Sequence, residues 1–249
     1  MKQGFLIPVY RHGKSACSLV KKLIVHNLPI IIIDDGNDDE TKKLMAETFA
    51  GMPGTFLISL EKNLGKGGAF IKGLEKAAEL KLTGVLQIDA DGQHDSDRAP
   101  FFLEEAIKNP EKIICGFPEF DLNAPKNRVS GRKISNFWGA ITTLSFELKD
   151  LLCGFRVYPV DKTLHVARNC FLDKRMGFDP EILVRLYWNK VFPVFYPIKV
   201  FYPKDNFSNF RMVLDNLHIS FAFFRLFCGM LIRLPLLIFY NIKNRKHKS

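Results

Sequence analysis

The chain has 249 residues, 47% of them hydrophobic, and carries 36 Lys and Arg against 26 Asp and Glu, for a formal charge of +10. That length suffices for one α/β domain with a full core, and the charge points to an anionic partner. Cys17, Cys115, Cys153, Cys170 and Cys228 are odd in number and widely spaced, without a Cys-x-x-Cys pair, which argues against a disulfide frame or a zinc site and for a reducing compartment.

The apolar opening is too short for a signal peptide and passes directly into a predicted strand over 5–9. A helix over 15–27 follows, then a buried strand over 29–33 that ends at Asp34-Asp35-Gly36. A third strand spans 55–60, and Asn63-Leu64-Gly65-Lys66-Gly67-Gly68 leads into a helix over 69–80. That segment has neither the Walker spacing nor a dinucleotide fingerprint, but backbone amides and one Lys at a helix start favour phosphate. A plain loop-to-helix turn is the competing reading. Further elements are a strand ending at Asp89, a helix over 101–108, a strand over 112–116, a helix over 130–148, a short strand over 153–158, helices over 162–169 and 180–189, and a last strand over 197–201. This alternation predicts a mostly parallel central sheet flanked by helices, with ligands beyond the carboxyl ends of the strands.

The stretch 84–95 is the centre of the pattern. Val85, Leu86 and Ile88 form a buried strand that stops at Asp89-Ala90-Asp91. Side chains two apart on an extended chain point the same way, so both carboxylates can address one divalent cation, Mg²⁺ or Mn²⁺, with Gln93 adding a neutral oxygen. The competing reading is a chance Asp-x-Asp that caps a helix entering at Asp97. Arg128, Arg132 and Lys133 at the start of the 130–148 helix are either an ordinary basic face or a phosphate contact.

From Lys204 to the end, eight Lys and Arg face two acids, Asp205 and Asp215, so the tail holds six of the ten excess positive charges. Arg211, Asp215, His218, Ala222, Arg225, Gly229 and Arg233 recur every three or four residues as one helical stripe among many Phe and Leu. A membrane span is long enough, but each Arg would cost about 2.5–3.5 kcal/mol near the bilayer centre and Pro235 interrupts the helix. An interfacial helix fits better, with its arginines toward headgroups and its apolar faces in the acyl boundary. Packing on the catalytic domain is the alternative. The expected division is a catalytic domain over 1–205 and a basic, amphipathic membrane-surface segment over 206–249.

Five segments in order resemble family 2 glycosyltransferases, most closely the polyprenyl-phosphate branch typified by dolichol-phosphate mannose synthase. They are Ile7-Pro8-Val9-Tyr10, the run Ile33 through Thr41, Asn63 through Ala69, Asp89-Ala90-Asp91-Gly92-Gln93-His94, and Asp150 with Cys153-Gly154-Phe155-Arg156. The resemblance implies the family's nucleotide-diphospho-sugar transferase (GT-A type) fold and an inverting, metal-dependent hexosyltransferase. It places Pro8, Tyr10, Asp34 and Asp35 around base and ribose, Lys66 near the diphosphate, and Asp89, Asp91 and Gln93 on the metal. Asp150 is the base if the acceptor is a hydroxyl. If the acceptor is a lipid phosphate, Arg128 and Arg132 hold it and Asp150 has an orienting role. Lys204, where that branch usually has Arg, falls on the acceptor side. The implied donor is a UDP- or GDP-sugar, the acceptor lipid-linked, and the location peripheral on the cytoplasmic face of the plasma membrane. The alternative is a catalytically silent membrane-binding module of the same fold. No nucleic-acid partner is expected, because the basic residues lie beside an apolar stripe rather than among exposed aromatics.

Overall fold

The computed structural model describes residues 2–119, 126–201 and 211–246, apart from the side chains of 126–128, 212 and 243–246. Lys204 and the Arg128 side chain therefore lie outside the described residues. The order is β1 Gln3–Val9, α1 Gly13–Leu23, β2 Ile30–Asp34, α2 Asp39–Phe49, β3 Thr55–Ser59, α3 Lys66–Glu79, β4 Gly84–Gln87, α4 Ala99–Lys108, β5 Ile113–Glu119, α5 Lys126–Thr143, β6 Arg156–Pro159, α6 Val160–Asn169, α7 Phe178–Trp188, β7 Pro193–Lys199 and α8 Met212–Lys246.

The seven strands form one sheet in the order β3-β2-β1-β4-β6-β5-β7. All its pairings are parallel except those of β6, which runs against both β4 and β5. Strands covered on both faces read as continuous apolar runs whose alternate side chains enter two cores. Ile30 and Ile32 join Phe5, Ile7 and Leu86 in one core with α1, α2 and α4. Ile31 and Ile33 join Leu6 and Val85 in the other, with α3, α6 and α7.

Several elements differ from the sequence expectation, among them β4, which stops at Gln87 ahead of a turn at Ala90 and Asp91 rather than at Asp89. The run Asn37 through Thr41 starts the unforeseen helix α2, whose first turn is capped by Asp38 accepting from the Thr41 amide at 2.8 Å. Helix α5 stops at Thr143 rather than at 148 because Leu144 takes a left-handed φ of 52°. Strand β7 begins at Pro193 rather than at 197, set by its register with β5. The antiparallel β6 means that the residues preceding it, not those following it, arrive at the carboxyl ends of β1, β2 and β4.

Helix α8 corrects the expected orientation of the polar stripe. Asp215 and Ala222 are buried, Arg225 pairs with Glu181 at 2.9 Å, and Arg233 lies over the Trp188 ring, so the stripe docks on the domain instead of meeting headgroups. The outward face is apolar, with Val213, Leu217, Phe221, Phe224, Leu231, Ile232, Leu236 and Phe239 exposed. Val213–Ile242, 30 residues, is long and apolar enough to cross a membrane by length and composition.

Candidate active site

Glycine permits the first feature of the site. Gly65 has a φ of +82°, a conformation side chains rarely adopt, and turns the chain so that Lys66 opens α3. Gly67 and Gly68 donate their amides to the Lys174 carbonyl at 2.9 and 3.3 Å, so the loop before α7 closes over the glycine segment. Lys66 Nζ lies 3.0 Å from Asp89 Oδ2 and 2.7 Å from Asp179 Oδ2. Burial alone would lower the lysine's pKa, but the charges and hydrogen bonds of Asp179 and Asp89 outweigh it and raise it well above the ordinary range. Burial likewise opposes ionisation of Asp89, and Lys66, then His94, overcome it and hold that carboxyl at about 2.

The β6 antiparallel pairing brings Gly154 against Asp89. A Cβ on Gly154 would fall 2.7 Å from Asp89 Oδ1 and closer still to Oδ2, so only glycine leaves the carboxylate its place. Asp91 Oδ1 accepts from the Gln93 amide at 3.0 Å, and the Gln93 carbonyl accepts from Phe201 N at 2.8 Å. His94 Nε2 sits 3.7 Å from the Cys153 sulfur. Burial would lower the imidazole's pKa, but the hydrogen bond to Cys153, its Coulombic contribution and the charges of Asp89 and Asp91 lift it to about 9.

Asp34 and Asp35 are both buried and organise loops. Asp34 Oδ1 accepts from Asn37 N at 3.0 Å and Nδ2 at 2.7 Å. Asp35 accepts from Asn63 Nδ2, Leu64 N and Gly65 N at 2.9, 2.6 and 3.0 Å, which fixes the glycine loop. Burial raises the Asp35 pKa, although the Leu64 and Gly65 amides and the Arg175 charge oppose it. Pro8 and Tyr10, half-buried, stand at the carboxyl end of β1 next to β2.

Asp150 is 4% exposed at its side chain and already engaged. Its Oδ2 takes Arg132 Nη1 at 2.5 Å and its Oδ1 takes the Leu152 and Cys153 amides at 2.9 and 2.6 Å. Beside it is a cavity of about 180 Å³ lined by Phe117, Pro118, Val129, Arg132, Lys133, Asn136, Lys149 and Asp150. Three cations over an apolar floor suit a phosphate with a hydrocarbon attached.

Two functional positions escaped the sequence reading. Asp179, in the first turn of α7, is the second carboxylate on Lys66, and its Oδ1 is buried without a hydrogen-bond partner. Arg156, fully buried, donates from Nη1 to the Asp179 carbonyl at 2.9 Å. Arg156 belonged to a quoted run, but only the reversed β6 shows that it meets Asp179.

The family model for glycosyl transferase family 2 matches residues 5–173, which hold the glycine loop, Asp89, Asp91 and Asp150. The chain belongs to glycosyl transferase family 2. Within the family it is 27% identical over 243 residues, 91% of this chain and 96% of the relative, to the UDP-N-acetylglucosamine–dolichyl-phosphate N-acetylglucosaminyltransferase of Methanococcus voltae. It is 33% identical over 178 residues, 66% of this chain and 52% of the relative, to the dolichyl-phosphate β-glucosyltransferase of Dictyostelium discoideum. The fold is shared with glucosyl-3-phosphoglycerate synthase from Mycobacterium tuberculosis at a TM-score of 0.60 and 14% identity, over 93% of this chain and 78% of that one. That synthase was crystallised with Mn²⁺, UDP-glucose and phosphoglyceric acid. The polyprenyl-phosphate branch expected from the motifs is thus the one in which these two relatives fall.

Proposed function

We propose that this glycosyltransferase moves a sugar, with inversion, from a UDP- or GDP-sugar to a polyprenyl phosphate at the cytoplasmic face of the plasma membrane. The observation that carries the reading is Lys66, held at the start of α3 between Asp89 and Asp179 in a family 2 chain. When the sugar departs, charge builds on the diphosphate, and a lysine kept protonated at a helix N-terminus stabilises that charge without proton transfer. UDP is the favoured nucleotide, because the Methanococcus relative's name specifies a UDP-sugar.

The residues fit a hard divalent cation. Asp89, Asp91 and Gln93 offer oxygen only, and Asp179, whose Oδ1 is buried without a hydrogen-bond partner, shares Lys66 with Asp89. Mg²⁺ usually takes one or two carboxylates and completes its shell with water and substrate phosphates. When bound, such an ion supplies Lewis-acid stabilisation of the leaving diphosphate. Asp89, Asp91 and Gln93 would hold it, and Lys66, beside Asp89 at the start of α3, would face the same phosphates.

A lipid phosphate is the better acceptor reading than a hydroxyl. Phosphate oxygen is already anionic and needs no base, and both Asp150 oxygens are occupied by Arg132 and two amides. Asp150 then orients Arg132, which holds the phosphate with Lys133 and Lys149. The names of both relatives specify dolichyl phosphate.

The outward apolar face of α8 supports peripheral membrane binding. The helix is tied to the domain from His218, on Asp173, to Asn241, which donates to the Thr143 and Leu144 carbonyls. A helix docked along its length lies in the interface rather than across it, and Lys243, Arg245, Lys246 and Lys248 add attraction to anionic lipid.

Calorimetric titration with UDP and with GDP in the presence of Mn²⁺, on wild type and Asp91→Ala, tests the donor side. Binding of one nucleotide that the substitution abolishes is expected. No binding of either by wild type would refute the reading and leave the silent membrane module.

A further inference from the structure

The loop before α7 has two faces, and they connect elements that nothing in the transfer reaction itself joins. One face covers the glycine segment, where the Lys174 carbonyl accepts both the Gly67 and Gly68 amides and the Asp173 carbonyl leaves no room for a Cβ on Gly67. The other face meets α8. Asp173 Oδ2 is 3.0 Å from His218 Nδ1 and 3.8 Å from Arg225 Nη2. The Asp173 amide donates at 2.5 Å to Glu181 Oε2, and Glu181, fully buried, accepts from Arg225 Nε at 2.9 Å on its other oxygen. Arg185 stands 3.7 Å from the same carboxylate. The Arg225 guanidinium is further fixed over the rings of Phe171 and Phe221 at 4.9 and 4.8 Å.

A buried carboxylate demands its cations, and removing one typically costs more than a surface pair could. Arg225 therefore settles where Glu181 and Asp173 sit. Those two residues bracket Asp179 and fix the loop that covers the start of α3. Both anchors of the Lys66 geometry, its backbone and its Asp179 partner, thus depend on a residue of the helix whose opposite face is apolar and exposed.

We propose that Arg225, with His218, is a positioning residue for the donor site: docking of α8 through the Asp173 and Glu181 carboxylates holds Lys66 in place for the nucleotide diphosphate, so the membrane-facing helix completes the donor pocket. This rests on the donor-site reading above. Arg225 acts through the loop at 173–175 and the first turn of α7, not by touching the donor. Arg233, on the same stripe, is the internal control, because it contacts Trp188 and the Gly229 carbonyl and has no bond to that loop.

The test compares wild type, Arg225→Met, Arg225→Lys, His218→Leu and Arg233→Met as full-length protein on anionic vesicles. UDP, and GDP in parallel, are titrated with Mn²⁺, and donor and acceptor KM are measured separately. Arg225→Met is expected to weaken nucleotide binding at least tenfold and to raise donor KM with acceptor KM unchanged. Arg225→Lys should recover part of the loss, His218→Leu should weaken binding about threefold, and Arg233→Met should stay within twofold of wild type. Should Arg225→Met not fold, His218→Leu and Arg225→Lys carry the test. If wild type binds nucleotide and the Arg225 and His218 variants bind it equally well, or if Arg233→Met loses as much, the coupling is refuted while the donor site stands. Failure of wild type itself to bind refutes the donor reading instead.

Discussion

Lys66 and Asp179 are joined by a 2.7 Å ion pair across 113 positions of sequence, and the same ammonium reaches Asp89 at 3.0 Å. The lysine is the point where the glycine loop, the acidic end of β4 and the first turn of α7 converge. Replacing it by Met removes the one protein cation the account assigns to the leaving diphosphate. A fall of about 10²–10³ in kcat is expected, the loss usual for one preorganised charge-stabilising donor. Asp179→Asn, which keeps the shape and drops the charge, should cost less, about tenfold. Steady-state transfer rates of the two variants provide the check.

Gly154→Ala tests the contact between the segment before β6 and Asp89. The added methyl has nowhere to go but into the carboxylate, so the fold should survive with activity down at least 100-fold. A melting temperature near that of wild type together with lost transfer is the expected pair of results. Full activity would show that Asp89 is free to move.

The acceptor side separates two roles for Asp150. Arg132→Met should raise the acceptor KM, and Asp150→Asn, which loosens the same guanidinium, should do so more mildly while lowering kcat no more than about tenfold. General bases contribute typically about 10²–10⁴-fold. A drop of that size in Asp150→Asn at saturating acceptor would restore the hydroxyl-acceptor mechanism.

His94 gives a pH signature. Its folded pKa of about 9 stands above the ordinary 6.5, so the stability it contributes is fully present below pH 6.5 and is lost as pH rises through 9. In metal-free protein the melting temperature should fall across that window, by an amount equivalent to at most about 3 kcal/mol, and His94→Gln should flatten the slope. An unchanged slope in the variant would contradict the assignment.

The outward face of α8 predicts flotation with anionic liposomes. Phe224→Glu, Leu231→Glu and Ile232→Glu together should abolish it without unfolding the domain, because these side chains are exposed. Truncation after residue 210 should abolish it too. A truncated protein that still floats would move the membrane contact elsewhere, to exposed Phe137 or Phe146 on the α5 side.

Much of this was legible before any coordinates. Covered parallel strands announce themselves as apolar runs ending in acid, and the places of Lys66 at a helix start and of Asp89 just beyond a strand were readable because both are local features. What pairing decides was not legible. The direction of β6 is a long-range property, so Asp179, Arg156 and the Gly154 contact could not be inferred from spacing. The α8 stripe misled for a related reason: periodicity shows that Arg225 and Arg233 share a face, but only buried Glu181 shows which way that face turns.

The most direct test is transfer of labelled sugar from a UDP- or GDP-sugar to polyprenyl phosphate, dolichyl and undecaprenyl in parallel, in anionic vesicles with Mn²⁺, comparing wild type with Asp91→Ala. Lipid-soluble label from wild type and background from the variant are expected. Equal labelling by both proteins, or none from wild type with any donor, would contradict the proposed transfer.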